Sequence, residues 1–397
     1  MSVPPADPQR KRPLVLHLTT ADISLELLIG PQLSAFIEAG YDVHATSAPG
    51  PYVDAVRARG VTFHPLEHST RSMSLLADLR AAVDFFRLCR ELRPDIVHTH
   101  NPKPGVYGRI ASRLARVPVV VNTVHGLYAQ PTDPLPRRIA VYGLERLAAF
   151  FSHAELIQNP EDVDVLRRLR IAESKLRLLG NGIDLERFHP GTDDERRRLR
   201  RQLDLPENAM VVGAIGRLVA EKGYRELLTA WASVHAANPD ARLVIIGMHD
   251  PSKPDAIGQA ELDQARSHGV VVLGERHDVE QLYRVMDVYV LASHREGFPR
   301  SAMEAAASGV PLVVTDIRGC RQVVRDGETG RLVPVRDATA LAATLAALLS
   351  DPTECQRLGT NGAALAVEAF DQRSVIETTL DVYRELVPRP GGDRPAE

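Results

Sequence analysis

The sequence predicts an α/β protein made of two doubly wound, parallel-sheet domains facing a central cleft. Three observations predict it. Short runs rich in Val, Ile and Leu recur, each followed by a longer stretch of helical period, and nearly continuous apolar strands alternating with helices mean a parallel sheet covered on both faces. The pattern restarts after a polar, arginine-rich segment, DDERRRLRRQL (Asp193–Leu203), read as a solvated helix. The 397 residues also exceed one comfortable core, since a domain holds roughly 100–200 residues.

In the first domain, residues 1–190, the strands are LVLHLTT (Leu14–Thr20), YDVHATS (Tyr41–Ser47), VTFHPL (Val61–Leu66), DIVHTH (Asp95–His100), PVVVNTV (Pro118–Val124) and AELIQN (Ala154–Asn159). The second, residues 191–370, repeats the theme with MVVGAIGRL (Met210–Leu218), ARLVIIG (Ala241–Gly247), VVVLG (Val270–Gly274), DVYVLAS (Asp287–Ser293), PLVVTD (Pro311–Asp316) and GRLVPV (Gly330–Val335). The join lies near GNGIDLERFHPG (Gly180–Gly191). Helices over Ala338–Leu349, Pro352–Glu368 and Gln372–Leu386 close the chain, and the last, in the segment 371–397, is expected to cross back onto the first domain.

Composition narrows the function. With 44% hydrophobic and 25% charged residues and a net charge of −3, the chain has the balance of a globular protein and nothing that points to nucleic acid. Cys89, Cys320 and Cys355 stand far apart, match neither a zinc spacing nor a disulfide framework, and are expected to be reduced thiols in the cytosol. The polar start MSVPPADPQRKRP precedes an apolar run too short for a signal peptide, and no stretch approaches the ~20 apolar residues of a spanning helix. The expectation is a cytoplasmic protein, at most peripheral on the inner face of the plasma membrane.

Ligands of doubly wound sheets bind beyond the carboxyl ends of the strands, so the residues just after each strand carry the function. After the first strand of the second domain come Gly216, Arg217, Lys222 and Gly223, then an amphipathic helix. Glycine lets a ligand approach the backbone, a helix N-terminus favours an anion, and two cations flanking the turn suit a diphosphate. Only five of the 48 basic residues are lysines, so a lysine at this turn suggests a compact point charge, although a solvated lysine in a first helical turn is the plain alternative.

In REGFPRSAME (Arg295–Glu304), Glu296 sits at the mouth of a helix, with Pro299 at its first position and Glu304 about one and a half turns inside. The pair can be a hydrolase acid and base, a donor-binding pair, or surface charges, with Arg300 then as the i,i+4 partner of Glu304. A division of labour is the natural reading: Glu296 with nearby amides meets one part of a ligand, and Glu304 accepts from hydroxyls such as those of a ribose. In the first domain His125 ends the strand of NTVHGLY (Asn122–Tyr128) and would project into the cleft. Asp22 and Lys103, which follow strands, are candidates on the acceptor side. His98 and His100 share a strand face, but no third ligand is evident and no metal site is expected. Asp162-x-Asp164 is read as solvated helix surface.

Taken together, NGIDLERF (Asn181–Phe188), GRLVAEKG (Gly216–Gly223), the E-x7-E of Glu296 and Glu304, and DGETGRLVP (Asp326–Pro334) resemble the retaining family-4 glycosyltransferases of the GT-B fold, over nearly the whole chain. HTHNPKPG (His98–Gly105), NTVHG (Asn122–Gly126), REGFPRSAMEAA (Arg295–Ala306) and TDIRGC (Thr315–Cys320) resemble the branch that builds capsular, O-antigen and lipid-linked oligosaccharides. The resemblance implies a nucleotide-sugar donor as substrate, a UDP-sugar such as one of the N-acetylamino sugars, and a saccharide or polyprenyl-linked saccharide acceptor. It implies that Arg217 and Lys222 hold the donor diphosphate, that Glu304 meets the ribose, and that Glu296 with the Gly297, Phe298 and Pro299 loop meets the donor sugar. It also implies that His125 lies near the reacting carbon, that Glu275 and Arg276 meet the base, and that no metal or other cofactor is required.

Two departures stand out. TTADISLELL (Thr19–Leu28) has no glycine where many relatives have a Gly-rich turn, and IIGMHDPSKPDAIG (Ile245–Gly258) replaces a shorter one. A lipid-linked acceptor calls for a membrane surface, and PLPRRIAVYGLERLAAFF (Pro134–Phe151) has the basic, apolar character of an interfacial helix. Alternatives are a GDP-mannose-dependent mannosyltransferase, a non-transferase of the same fold such as a nucleotide-sugar epimerase, and a catalytically silent sugar-nucleotide-binding subunit.

Overall fold

The computed structural model describes residues 12–70, 74–100, 102–129, 133–250 and 253–387. The polar N-terminal stretch to Lys11 and the tail beyond Val387 lie outside the described residues. Two compact units are present: one of the residues up to Gly180 together with those from Ser374 onward, the other Asn181–Arg373.

The first unit is a seven-stranded parallel sheet of β1 (Leu14–Ala21), β2 (Asp42–Ala48), β3 (Thr62–Pro65), β4 (Ile96–His100), β5 (Val119–Val124), β6 (Ala154–Ile157) and β7 (Leu176–Leu178), in the order β3-β2-β1-β4-β5-β6-β7. Alternation along β1 sends Leu14, Leu16 and Leu18 to a core with Phe85, Val97 and Val120, and Val15 to the opposite core with Phe36, Ile96 and Val121. Both faces are covered, which is why these strands are apolar throughout. The strand β7 is absent from the sequence reading because its three residues, Leu-Arg-Leu, are too few to carry a period.

The helix Gln372–Leu386 places Val375, Leu380 and Tyr383 in the core of this first unit. Arg109 is fully buried there, with Nη1 donating to Glu155 Oε1 at 2.6 Å and Nη2 to Glu145 Oε1 at 2.8 Å. Ser152 and Asn122 also donate to the Glu155 carboxylate, at 2.5 and 2.7 Å, so the buried charges are paired and hydrogen bonded.

The second unit is a six-stranded parallel sheet of β8 (Val211–Ile215), β9 (Arg242–Ile246), β10 (Val270–Gly274), β11 (Val288–Leu291), β12 (Leu312–Thr315) and β13 (Gly330–Val333), in the order β10-β9-β8-β11-β12-β13. Trp231 and Leu227 of the helix Tyr224–Ala237 cover one face with Leu341 and Leu345, and Ala302, Met303 and Leu365 cover the other.

Three local expectations are corrected. The segment Asn181–Pro190 belongs to the second unit, because Phe188 lies in its core and Ile183 bridges to Asp371. The arginine-rich helix Asp193–Gln202 is only partly solvated: Arg200 is buried and donates to Asp287 Oδ2 at 2.7 Å. Asp162 is buried too, accepting from the Leu127 amide at 3.1 Å, whereas Asp164 stays exposed.

Candidate active site

In the second unit the loops after β8 and β11 meet. The Tyr224 hydroxyl donates to the Gly216 carbonyl at 3.1 Å, a 3₁₀ turn spans Ala220–Lys222, and Gly223 at φ 72° opens the following helix. A Cβ at Gly223 would collide with the Ala292 carbonyl oxygen, so only glycine lets this turn lie against the end of β11. Lys222 Nζ then reaches Glu296 Oε1 at 2.5 Å, and the Ser293 hydroxyl donates to the same oxygen at 2.7 Å.

The loop carrying Glu296 is braced from three directions. Thr315 Oγ1 donates to the Ser293 carbonyl at 2.6 Å. The Cα of Gly319 packs so closely that a Cβ there would sit 2.6 Å from the Glu296 carbonyl oxygen. Asn181 Nδ2 donates to the Phe298 carbonyl at 3.2 Å, and the Phe298 ring stands edge-on to Phe370 at 6.0 Å. The NGIDLERF and TDIRGC motifs therefore act by holding this loop.

Pro299 occupies the capping position and the helix begins at Arg300, one residue later than expected. Glu304, partly buried on that helix, accepts from the Tyr283 hydroxyl at 2.9 Å. Burial raises its carboxyl above the ordinary range, against the opposing pull of Arg300 and the Tyr283 hydrogen bond. Arg217 is exposed and makes no side-chain hydrogen bond or ion pair among the described residues. Beyond β10, Glu275 is exposed and Arg276 is held by Asp278 through two bonds of 2.8 and 2.6 Å.

The other three candidates belong to the first unit. Asp22 is buried and accepts from the amides of Ile23 and Tyr52 at 2.9 and 2.7 Å. Lys103 pairs with Asp78 at 2.5 Å and donates to the Thr70 carbonyl at 2.9 Å. In the structure both are loop braces. His125, just past β5, has Nε2 3.1 Å from His100 Nδ1 and Nδ1 3.1 Å from Gln158 Oε1.

Behind His125, the sequence expectation that His98 and His100 lack a third partner is corrected: His17 on β1 lies in register with His98, and the three rings bring nitrogens within 4.8 Å of one another. A metal fits them poorly. His98 is bonded to Tyr383 Oη and Thr123 Oγ1 at 2.5 and 2.7 Å, and His100 to His17 and His125, so a cation would break hydrogen bonds at two of the three rings. The rings of His98 and His100 are stacked at 4.2 Å, which aims their in-plane nitrogens outward rather than at a common point. Burial lowers His17 to about 3 and, with neighbouring imidazoles adding repulsion, holds His98 and His100 well below the usual range.

Sequence reasoning did not find Ser293, Asn181, Tyr283, His17 or Gln158. Ser293 carried a signal, standing just past the end of β11 and three positions before Glu296; the others depend on register and loop packing.

Two family descriptions match the chain: glycosyl transferase 4-like domain over residues 30–182 and glycosyl transferases group 1 over residues 195–365. The D-inositol 3-phosphate glycosyltransferase of Corynebacterium diphtheriae is 31% identical over 323 residues, 78% of this chain and 74% of that protein. The chain belongs to the group 1 glycosyltransferases. To this glycosyltransferase the UDP-Gal:alpha-D-GlcNAc-diphosphoundecaprenol alpha-1,3-galactosyltransferase of Escherichia coli is 29% identical, over 80% of this chain and 82% of that one. The crystal structure of Anabaena Alr3699/HepE in complex with UDP and glucose, 20% identical, superposes with a TM-score of 0.77 over 94% of this chain and 100% of that one. The fold of the glycosyltransferase is GT-B, two Rossmann-like parallel-sheet domains. No helix among its described residues is long and apolar enough to cross a membrane.

Proposed function

We propose that the protein transfers a sugar, with retention of configuration and without a metal, from a UDP-sugar to a lipid-linked saccharide acceptor in cell-surface polysaccharide synthesis. An N-acetylamino sugar is the donor class favoured by the sequence motifs. The observation that carries the reading is the cation–carboxylate pair of Lys222 and Glu296 at the ends of adjacent parallel strands, where this fold class binds ligands.

Breaking the bond from the anomeric carbon to the diphosphate leaves negative charge on a phosphate oxygen. Arg217 and Lys222 stabilise that charge as it develops, the part a divalent ion plays elsewhere. Glu296, released from Lys222 when the diphosphate arrives, accepts from a sugar hydroxyl, and Glu304 accepts from the ribose. The acceptor oxygen bonds to the anomeric carbon on the face the leaving group vacates, and its proton passes to the departing phosphate. Retention would be read from the anomeric coupling in the proton spectrum of the product formed with EDTA present. An inverted anomer, or transfer that EDTA abolishes, would overturn the mechanism.

The acceptor brings a surface with it. The helix Leu135–Phe150 turns Leu135, Ile139, Leu147 and Phe150 outward, Phe150 at 78% exposure, with Arg137 and Arg146 also exposed. The helix Leu75–Leu92, which like Leu135–Phe150 packs on the helix Pro102–Leu114, exposes Leu75, Leu76, Leu79 and Val83 together with Arg80 and Arg90. An exposed apolar face edged with arginines suits an anionic bilayer surface. Flotation with phosphatidylglycerol vesicles is expected for the parent and lost in Ile139→Asp with Phe150→Asp; equal flotation of both would remove this surface.

A further inference from the structure

Three imidazoles of the first unit are linked end to end. His17 Nδ1 lies 3.1 Å from His100 Nε2, His100 Nδ1 3.1 Å from His125 Nε2, and His125 Nδ1 3.1 Å from Gln158 Oε1. Each link between two nitrogens holds one proton. With the amide oxygen of Gln158 accepting, His125 carries its proton on Nδ1, so its Nε2 accepts from His100, whose Nε2 in turn accepts from His17. This arrangement leaves His17 Nε2, buried and without a partner among the described residues, as a bare lone pair. The opposite sense would leave a buried N–H there, the rarer orphan.

The surroundings oppose a charge. Among the described residues, Phe36 stacks on His17 with ring centroids 5.5 Å apart, and His98, beside His100 on β4, is itself bonded to Tyr383 of the C-terminal helix. An added proton at either linked acceptor, His125 Nε2 or His100 Nε2, would set two N–H groups against each other, and the open position, His17 Nε2, is buried, which disfavours a charge there.

Resting on the reading that His125 meets the donor sugar, we propose that His100 and Gln158 are positioning residues which hold His125 as one neutral tautomer with both ring nitrogens occupied. His125 then presents a fixed shape to the sugar and does not serve as the base that takes the acceptor's proton.

Ring-nitrogen NMR of the full chain labelled at histidine, with the His125 signals identified from a His125→Gln spectrum, tests the tautomer without turnover. The expected result is a neutral Nδ1–H imidazole that does not titrate from about pH 8 to about pH 5.5. A His125 signal titrating at about 6.5, or an Nε2–H tautomer, would overturn the proposal. Gln158→Glu keeps the shape and adds a carboxylate at Nδ1, so His125 is expected to begin titrating in the same window and to bring a new limb into the pH profile of kcat. His100→Gln is expected to lower kcat by about a hundredfold with UDP affinity unchanged; unchanged kcat and pH profile in both variants would also overturn it. A chain with no transferase activity but the expected spectrum would count against the donor-sugar reading and leave the tautomer standing.

Discussion

Lys222 Nζ lies 2.5 Å from Glu296 Oε1, joining the loop after β8 to the loop after β11. Lysine and carboxylate neutralise each other until an anionic ligand competes for the lysine. Lys222→Ala is therefore expected to cut kcat by on the order of 10²–10³-fold, the effect of removing one preorganised donor to a developing oxyanion. The side chain is partly exposed, so the thermal melt should be little changed. Near-normal turnover would remove the diphosphate role.

Glu296→Gln separates the sugar from the nucleotide. It should lower turnover while leaving the UDP dissociation constant within about twofold of the parent, because the carboxylate is assigned to the sugar. A large loss of UDP affinity, read by calorimetry, would instead place Glu296 at the nucleotide.

Glu304→Gln should act in opposite directions on binding and stability. The carboxyl titrates above its ordinary 4.5 in the folded protein, chiefly through burial. Its stabilising contribution is fully present below 4.5 and is lost as pH rises through the raised value, so at neutral pH the ionised group is a destabilising one. The Gln variant should melt higher than the parent at pH 7, and the gap should narrow toward pH 4.5. UDP affinity should fall about tenfold, as a charged hydrogen bond is replaced by a neutral one. A lower melting temperature together with unchanged affinity would refute both assignments.

Arg109→Met tests the buried network beside β6. With Glu155 left unpaired at 0% exposure, the cost should be about 3–5 kcal/mol. The double variant Arg109→Met with Glu155→Gln should recover much of it; equal instability of the single and double variants would argue that Arg109 acts through packing alone.

Much of this was legible in the sequence because the period of the strands and the glycines at their ends report directly on a parallel sheet. Lys222 and Glu296 could be located near strand ends from spacing, since each follows a strand by a few residues, and Glu304 on the helix after the second of those strands. What spacing could not give was register. His17 and His98 are 81 positions apart in the chain but opposite each other on β1 and β4, so the histidine ladder is invisible until the strands are ordered. Asp162 was misjudged for a similar reason: its helix looks solvated, yet one acceptor turns inward to the Leu127 amide. Asp22 and Lys103 stand at strand ends, but their partners Tyr52 and Asp78 come from neighbouring loops and helices.

Thermal shift of the parent and of Lys222→Ala with UDP, GDP and ADP, each with EDTA present, tests the central claim most directly. Stabilisation of the parent by UDP alone, at [L] of about 100 Kd worth about 2.7 kcal/mol, with most of it lost in Lys222→Ala, is the expected result. A parent that responds to none of the three, or a variant that responds as fully as the parent, would contradict metal-free nucleotide binding at Lys222.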